Sequence, residues 1–121
     1  MSAPEYTISI RTGYVLVEDP PDYDVVLNEQ PRKLQAISAA CSEAGTNKVL
    51  IRGTKANVKL TNLQMFDLER EVAKLDLRIA VVTQHDASKE TVNFLEDVAT
   101  NLGNPCRFFD NEQDAKYWLD V

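Results

Sequence analysis

The chain has 121 residues, of which 44% are hydrophobic and 26% are charged, and its formal net charge is −6. This length suits one domain, and the composition is that of a folded chain, not a disordered one. Because an acidic surface repels phosphate groups, general binding to nucleic acid or to anionic membrane surfaces is not expected. We therefore expect one domain spanning residues 1–121.

The N-terminal segment and the cysteines indicate the cellular compartment. The opening MSAPEYTISIRTG has no basic segment followed by an apolar one and no cleavage site, so no secretory leader is predicted. No run approaches the ~18 apolar residues that a transmembrane helix needs. Cys41 and Cys106 lie far apart among apolar residues, which favours buried free thiols in a reducing compartment. These patterns predict a cytoplasmic protein.

The first 25 residues predict a β-hairpin and a turn. Residues 5–10 alternate in hydrophobicity, residues 14–17 form a second strand, and Thr12-Gly13 between them suits a tight turn because glycine tolerates positive φ. The segment 19–22, Asp-Pro-Pro-Asp, predicts a turn because proline has no amide hydrogen. Tyr23 has two interpretations: an exposed aromatic that anchors a partner, or a residue that folds back over the edge of the sheet.

The remainder alternates strands and helices. Apolar residues at helical spacing predict helices from about 28 or 31 to 44, over 62–75, over 88–102, and in a short segment after Asn111. Continuous apolar runs predict strands at 48–51, 77–82 and 106–109. The fold class is therefore α/β: a single mixed sheet with an N-terminal β-hairpin, followed by parallel βα units with right-handed crossovers and flanking helices.

Several segments, in this order and spacing, resemble one known family: 49–54 (VLIRGT), 60–63 (LTNL), 78–82 (RIAVV), 94–103 (FLEDVATNLG) and 107–112 (RFFDNE). They are similar to the STAS (sulfate-transporter and anti-sigma-factor-antagonist) family, and to its small SpoIIAA-like bacterial members, often grouped with Sec14-type lipid-binding folds. The similarity spans nearly the whole chain. It implies a mixed sheet flanked by helices and a role in protein–protein signalling or small-ligand sensing.

The start of the second long helix has two interpretations. In the antagonists of the STAS family, a serine at the start of the helix after the third strand is phosphorylated, which switches partner binding. The resemblance places Thr61, or its neighbour Asn62, at that position, with Leu60-Thr61 where those proteins have an Asp-Ser pair. Thr61 followed by Gln64 is also a capping box, worth ~1 kcal/mol. We favour the cap.

A candidate ligand or partner site is expected at the carboxyl ends of the parallel strands, where loops and helix N-termini converge. Residues 53–61, 83–88 and 110–112 are predicted to lie there, the first as a long basic loop. Lysines, the only histidine and two helix N-termini could together hold an anion. The alternative is a solvated loop. The candidate residues are Lys55, Asn57, Lys59, Thr61, His85 and Asp86.

Three functions follow, in order of preference. The first is a non-enzymatic regulatory or scaffold module that binds a protein partner, with a homodimer as one form of it. The second is a sensor or binder of an anionic or lipid-like small molecule at the loops after the central strands. The third, an enzyme built around His85, Asp86 and Asp110, ranks well behind because no nucleophile motif accompanies them. No cofactor or metal is predicted, since the sequence lacks the corresponding motifs.

Overall fold

The structure, a computed structural model, describes residues 6–85, 89–103 and 105–121. The strands within these ranges are β1 Thr7–Arg11, β2 Tyr14–Glu18, β3 Tyr23–Val25, β4 Lys48–Val58, β5 Arg78–His85 and β6 Cys106–Phe109. The helices are α1 Gln30–Ala44, α2 Asn62–Ala73, α3 Lys89–Asn101 and α4 Glu112–Leu119. In the described part of the chain, none of the helices has the length and apolar character needed to cross a membrane.

The strands form one sheet in the order β1-β2-β4-β5-β6, and β3 also pairs with β4. β1 and β2 are antiparallel and joined by the two residues between Arg11 and Tyr14, where Gly13 has a φ of 85°. The other pairs, β2–β4, β3–β4, β4–β5 and β5–β6, are parallel. The predicted mixed sheet with an N-terminal hairpin is therefore confirmed.

The sheet is buried on both faces, which explains why its central strands are continuously apolar. Successive side chains of a strand point to opposite faces, so Val15 and Val17 of β2 join one core and Leu16 joins the other. The first core includes Ile37 and Cys41 of α1, and the second includes Leu119 of α4. Helices therefore pack against both faces of the sheet and hold its strands in place.

Helix ends follow the predicted signals. α1 ends at Gly45, whose φ of 70° is left-handed and whose amide donates to backbone carbonyls of the last turn. The side chain of Asn111 accepts a hydrogen bond from the amide of Asp114 at the start of α4. The predicted end of the first helix at residue 44 and the predicted short helix after Asn111 are confirmed.

The predicted loop over 53–61 is wrong for residues 53–58, which form the second half of β4. β3, which no pattern predicted, pairs in parallel with this half, from Tyr23 opposite Ala56 to Val25 opposite Val58. Tyr23 is buried within β3 at the sheet, so it is not the exposed aromatic that the first interpretation required. Pairing with β3 on one side and β5 on the other supplies the backbone hydrogen bonds that keep this polar segment extended.

Candidate functional site

Asn57 lies near the carboxyl end of β4, but its side chain is already engaged. Its Nδ2 donates to Oδ1 of Asp22 at 2.8 Å and to Oδ1 of Asp24 at 3.0 Å. These bonds attach the end of β4 to β3 and to the turn before it. Asn57 therefore has a structural role that the sequence pattern did not indicate.

Thr61 is the N-cap of α2. Its Oγ1 accepts a hydrogen bond from the amide of Gln64 at 3.2 Å, and Oε1 of Gln64 accepts one from the amide of Thr61 at 2.9 Å. The predicted capping box is confirmed. The side chain of Thr61 is exposed, so phosphorylation there stays a prediction.

Replacing Thr61 with alanine should lower the free energy of unfolding by about 1 kcal/mol, because the amide of Gln64 loses its acceptor. Thr61→Ser keeps the hydroxyl and should retain most of that stability. Urea unfolding followed by circular dichroism would measure both variants. Equal losses in the two would show that the threonine methyl group, and not the cap, is responsible.

The other predicted residues fall at different points of the same edge. Lys59 is exposed, and its amide donates to the carbonyl of Val25 at 2.9 Å. Lys55 and His85 occupy neighbouring registers of the β4–β5 pair, opposite Gln84 and Ala56 respectively. Asp86 lies outside the described residues. The anion site therefore stays a prediction.

Arg52, in the first half of β4, joins three elements and was not among the residues predicted from the sequence. Its Nη2 and Nε donate to Oε2 of Glu18 at 3.0 and 3.3 Å, and its Nη1 donates to Oε1 of Glu112 at 2.8 Å. These bonds, first the one to Glu18, raise the pKa of Arg52 above its ordinary value. The three side chains are between 36% and 43% exposed, so solvent and ligands can reach them.

A groove of about 380 Å³ lies beside Arg52. Its lining residues are Glu18, Asp19, Pro21, Arg52, Gly53, Thr54, Val82 and Glu112. The β2–β4 register ends at Arg52 and the β3–β4 register begins at Ala56, so the groove opens where β4 passes from one partner strand to the next. The register between β4 and β5 also shifts between Arg52 and Lys55.

A buried ion pair lies next to this groove. Nζ of Lys33 in α1 is 2.6 Å from Oδ1 of Asp19, and the two side chains are only 6% and 9% exposed. The same Nζ lies 4.3 Å from the ring centroid of Tyr23 and 5.2 Å from that of Tyr6. Burial raises the pKa of Asp19, and Lys33 opposes this shift. The pair fixes α1 to the turn that follows β2.

A second exposed feature is the outer face of α2. Leu63 is 70% exposed and Phe66, three residues later on the same side of the helix, is 37% exposed. Leu27, before α1, is 40% exposed and lines a groove of about 330 Å³ against α2. The other lining residues are Pro31, Asp67, Leu68, Arg70 and Glu71. The exposed surface of α2 therefore carries both apolar and charged side chains, and we call it the α2 face.

The cysteines show no reactive environment. Both are free, Cys41 is buried, and Cys106 is partly buried in β6. Burial raises the pKa of both thiols above the ordinary value, which disfavours the thiolate. The interpretation of two free thiols in apolar surroundings agrees with this arrangement.

No protein-family model matches the chain, and a search of curated protein sequences finds no match. Among solved structures, the chain is similar to an uncharacterised protein of the DUF3478 family from Shewanella loihica PV-4, described as having a SpoIIAA-like fold. The two share 16% sequence identity over 98% of each chain, with a TM-score of 0.51. At this identity the similarity concerns the fold alone. The chain therefore has the SpoIIAA-like, STAS-type fold that its sequence predicted.

Proposed function

We propose that this chain is a non-enzymatic regulatory or scaffold module that binds a protein partner through the α2 face. The observation that carries the proposal is the exposure of Leu63 and Phe66, which lie one helical turn apart on α2. Large apolar side chains grouped at a surface and surrounded by polar residues are typical of protein interfaces. A partner that covers these side chains would remove their apolar surface from water, which favours association.

The charges around the α2 face favour a protein over a membrane. Asp67, Arg70 and Glu71 line the adjoining groove, so its rim carries both signs with an acidic excess. The chain as a whole has a net charge of −6. Helices that bind anionic lipid surfaces instead carry many lysines and arginines around their apolar face.

Thr61 would make such an interface switchable. It precedes Leu63 by two residues and caps the same helix. The partial positive charge of the helix N-terminus would stabilise a phosphate on Thr61. The phosphate would add a charge of about −2 at the rim of the interface. This supports the regulatory part of the proposal, in which the 121 residues act as one domain in the cytoplasm.

Changing Leu63 and Phe66 together to serine should weaken partner capture by about 30-fold or more, since interface hot spots contribute about 2 kcal/mol or more. Tyr117→Ser on α4 is the matched control, because Tyr117 is 88% exposed and lies on another helix. The measurement is affinity capture of the tagged, full-length protein from host extract, with quantitative mass spectrometry of the eluate.

The proposal stands if a stoichiometric partner is lost from the α2 variant and retained by Tyr117→Ser. Equal retention by both variants would refute the assignment of the α2 face. If the only captured protein is a second copy of the chain, sedimentation of both variants would show whether the same face forms a homodimer.

A further inference from the structure

The groove beside Arg52 contains charges of both signs that belong to different elements. Glu18 ends β2, Arg52 lies in β4, and Glu112 begins α4. Arg52 uses Nε and Nη2 for Glu18 but only Nη1 for Glu112. Glu18 therefore holds the guanidinium in place, while the single bond to Glu112 can open without releasing Arg52.

The charges at this point restrict which ligand can enter. A lone anion that took Nη1 would bring a like charge against the carboxylate of Glu112, whose remaining cation, Nζ of Lys116, is 4.0 Å from its Oε1. A lone cation that took Glu112 would leave one end of Arg52 unpaired. A ligand with both charges satisfies both groups: its carboxylate replaces Glu112 on Nη1, and its ammonium pairs with the displaced carboxylate.

The volume and the lining of the groove restrict the size and the polarity of the ligand. Its volume of about 380 Å³ lies near the lower end of the range for small-molecule sites. Pro21 and Val82 line it together with the charged groups, so an apolar side chain would be accommodated next to a charged head. Backbone groups of Gly53 and Thr54 lie between the β2 and β3 registers and also line the groove.

We propose that this groove binds a compact zwitterion of the α-amino acid class, with Arg52 holding its carboxylate, Glu112 its ammonium, and Pro21 and Val82 its apolar side chain. The α2 face lies elsewhere on the chain, so the proposal does not depend on partner binding there. The groove opens beyond the carboxyl end of β2, at Glu18, and beside the middle of β4 and β5. The space beyond the carboxyl end of a parallel strand is where such sheets bind small ligands.

L-Leucine and two analogues that each lack one charge test the proposal. 3-Methylbutylamine keeps the ammonium and the apolar group, and 4-methylpentanoate keeps the carboxylate and the apolar group. In a titration of the ¹⁵N-labelled protein, we expect leucine to give saturable shifts of the Gly53 and Thr54 amides. Each analogue should bind about tenfold more weakly or worse, since each loses a charge-assisted contact.

Variants locate the binding. Glu112→Gln should weaken leucine binding by about tenfold or more, because a neutral amide replaces the partner of the ammonium. Glu43→Gln is the matched control, since Glu43 is exposed on α1 and does not line the groove. Far-ultraviolet circular dichroism and the unfolding midpoint would show that both variants remain folded.

Three results would overturn the proposal. These are the absence of a saturable leucine shift at Gly53 and Thr54, binding of either analogue as tightly as leucine, and leucine binding by Glu112→Gln equal to that of the wild type. Tight binding of 4-methylpentanoate alone would mean an anion site on Arg52 instead. Loss of leucine binding in Glu43→Gln would equally refute the assignment to this groove.

Discussion

Replacing Lys33 with methionine should lower the free energy of unfolding by about 3–5 kcal/mol at neutral pH. Methionine conserves most of the side-chain volume, but it removes the partner of Asp19, whose side chain is only 9% exposed. It also removes the ammonium that lies over the rings of Tyr23 and Tyr6. The loss of stability arises because the carboxylate of Asp19 stays buried without a charged partner.

This loss should depend on pH. Burial already raises the pKa of Asp19, and without Lys33 the two effects that lower it disappear, so the pKa rises further. A carboxyl group with a raised folded pKa stabilises the fold below its unfolded pKa, and that contribution is lost as the pH rises through the folded value. The defect of Lys33→Met should therefore be full at neutral pH and smaller in acid, where Asp19 is protonated.

Urea unfolding of the wild type and of Lys33→Met across the acidic to neutral range would measure this effect. The double variant Lys33→Met, Asp19→Asn should recover part of the stability, because no charge is left buried. Lys74→Met is the control, since Lys74 forms an exposed pair and should change stability by less than about 1 kcal/mol. A defect that is constant with pH would mean lost packing, not an unpaired charge.

Replacing Leu119 with alanine should cost about 2–5 kcal/mol. Leu119 is fully buried in the core between α4 and the sheet, together with Ala115, Leu50, Ala80 and Leu16. Two of these buried neighbours are alanines, whose side chains are too short to fill the space. The cavity should therefore persist.

The matched control lies on the same helix. Tyr117→Ala removes a larger side chain, but Tyr117 is 88% exposed and the change should stay within about 0.5 kcal/mol. Thermal and urea unfolding would compare the two variants. If both variants lose similar stability, the burial of Leu119 is not what holds α4 against the sheet.

Local patterns were sufficient for most elements of the fold. The stripe of Leu34, Ile37 and Cys41 predicted the inner face of α1, and the apolar run after Lys48 predicted the first half of β4. β3 was missed because three residues after a double proline carry no periodic signal. Its pairing with Ala56–Val58 is a contact between segments that are distant in sequence.

The candidate sites were harder to predict, for a related reason. Arg52 lies 34 residues from Glu18 and 60 from Glu112, so no spacing in the sequence joins them. Lys33 adjoins a predicted helical stripe, yet a lysine ordinarily keeps its ammonium in water. Only the assembled sheet brings Asp19 close enough to bury it. The capping box of Thr61, by contrast, depends on Gln64 three residues later, so the local sequence pattern was enough to predict it.

β4 is supported on one side by two successive strands of the same segment, β2 along its first half and β3 along its last three residues. The two supports are separated by the turn that Lys33 fixes through Asp19. The carboxyl end of β4 can therefore open as a sub-global unit, with its amides exchanging with solvent while the first half remains protected. Native-state opening is therefore expected at β3 and the last residues of β4, and not in the half of β4 that carries Arg52 or in the cores beneath α1 and α4.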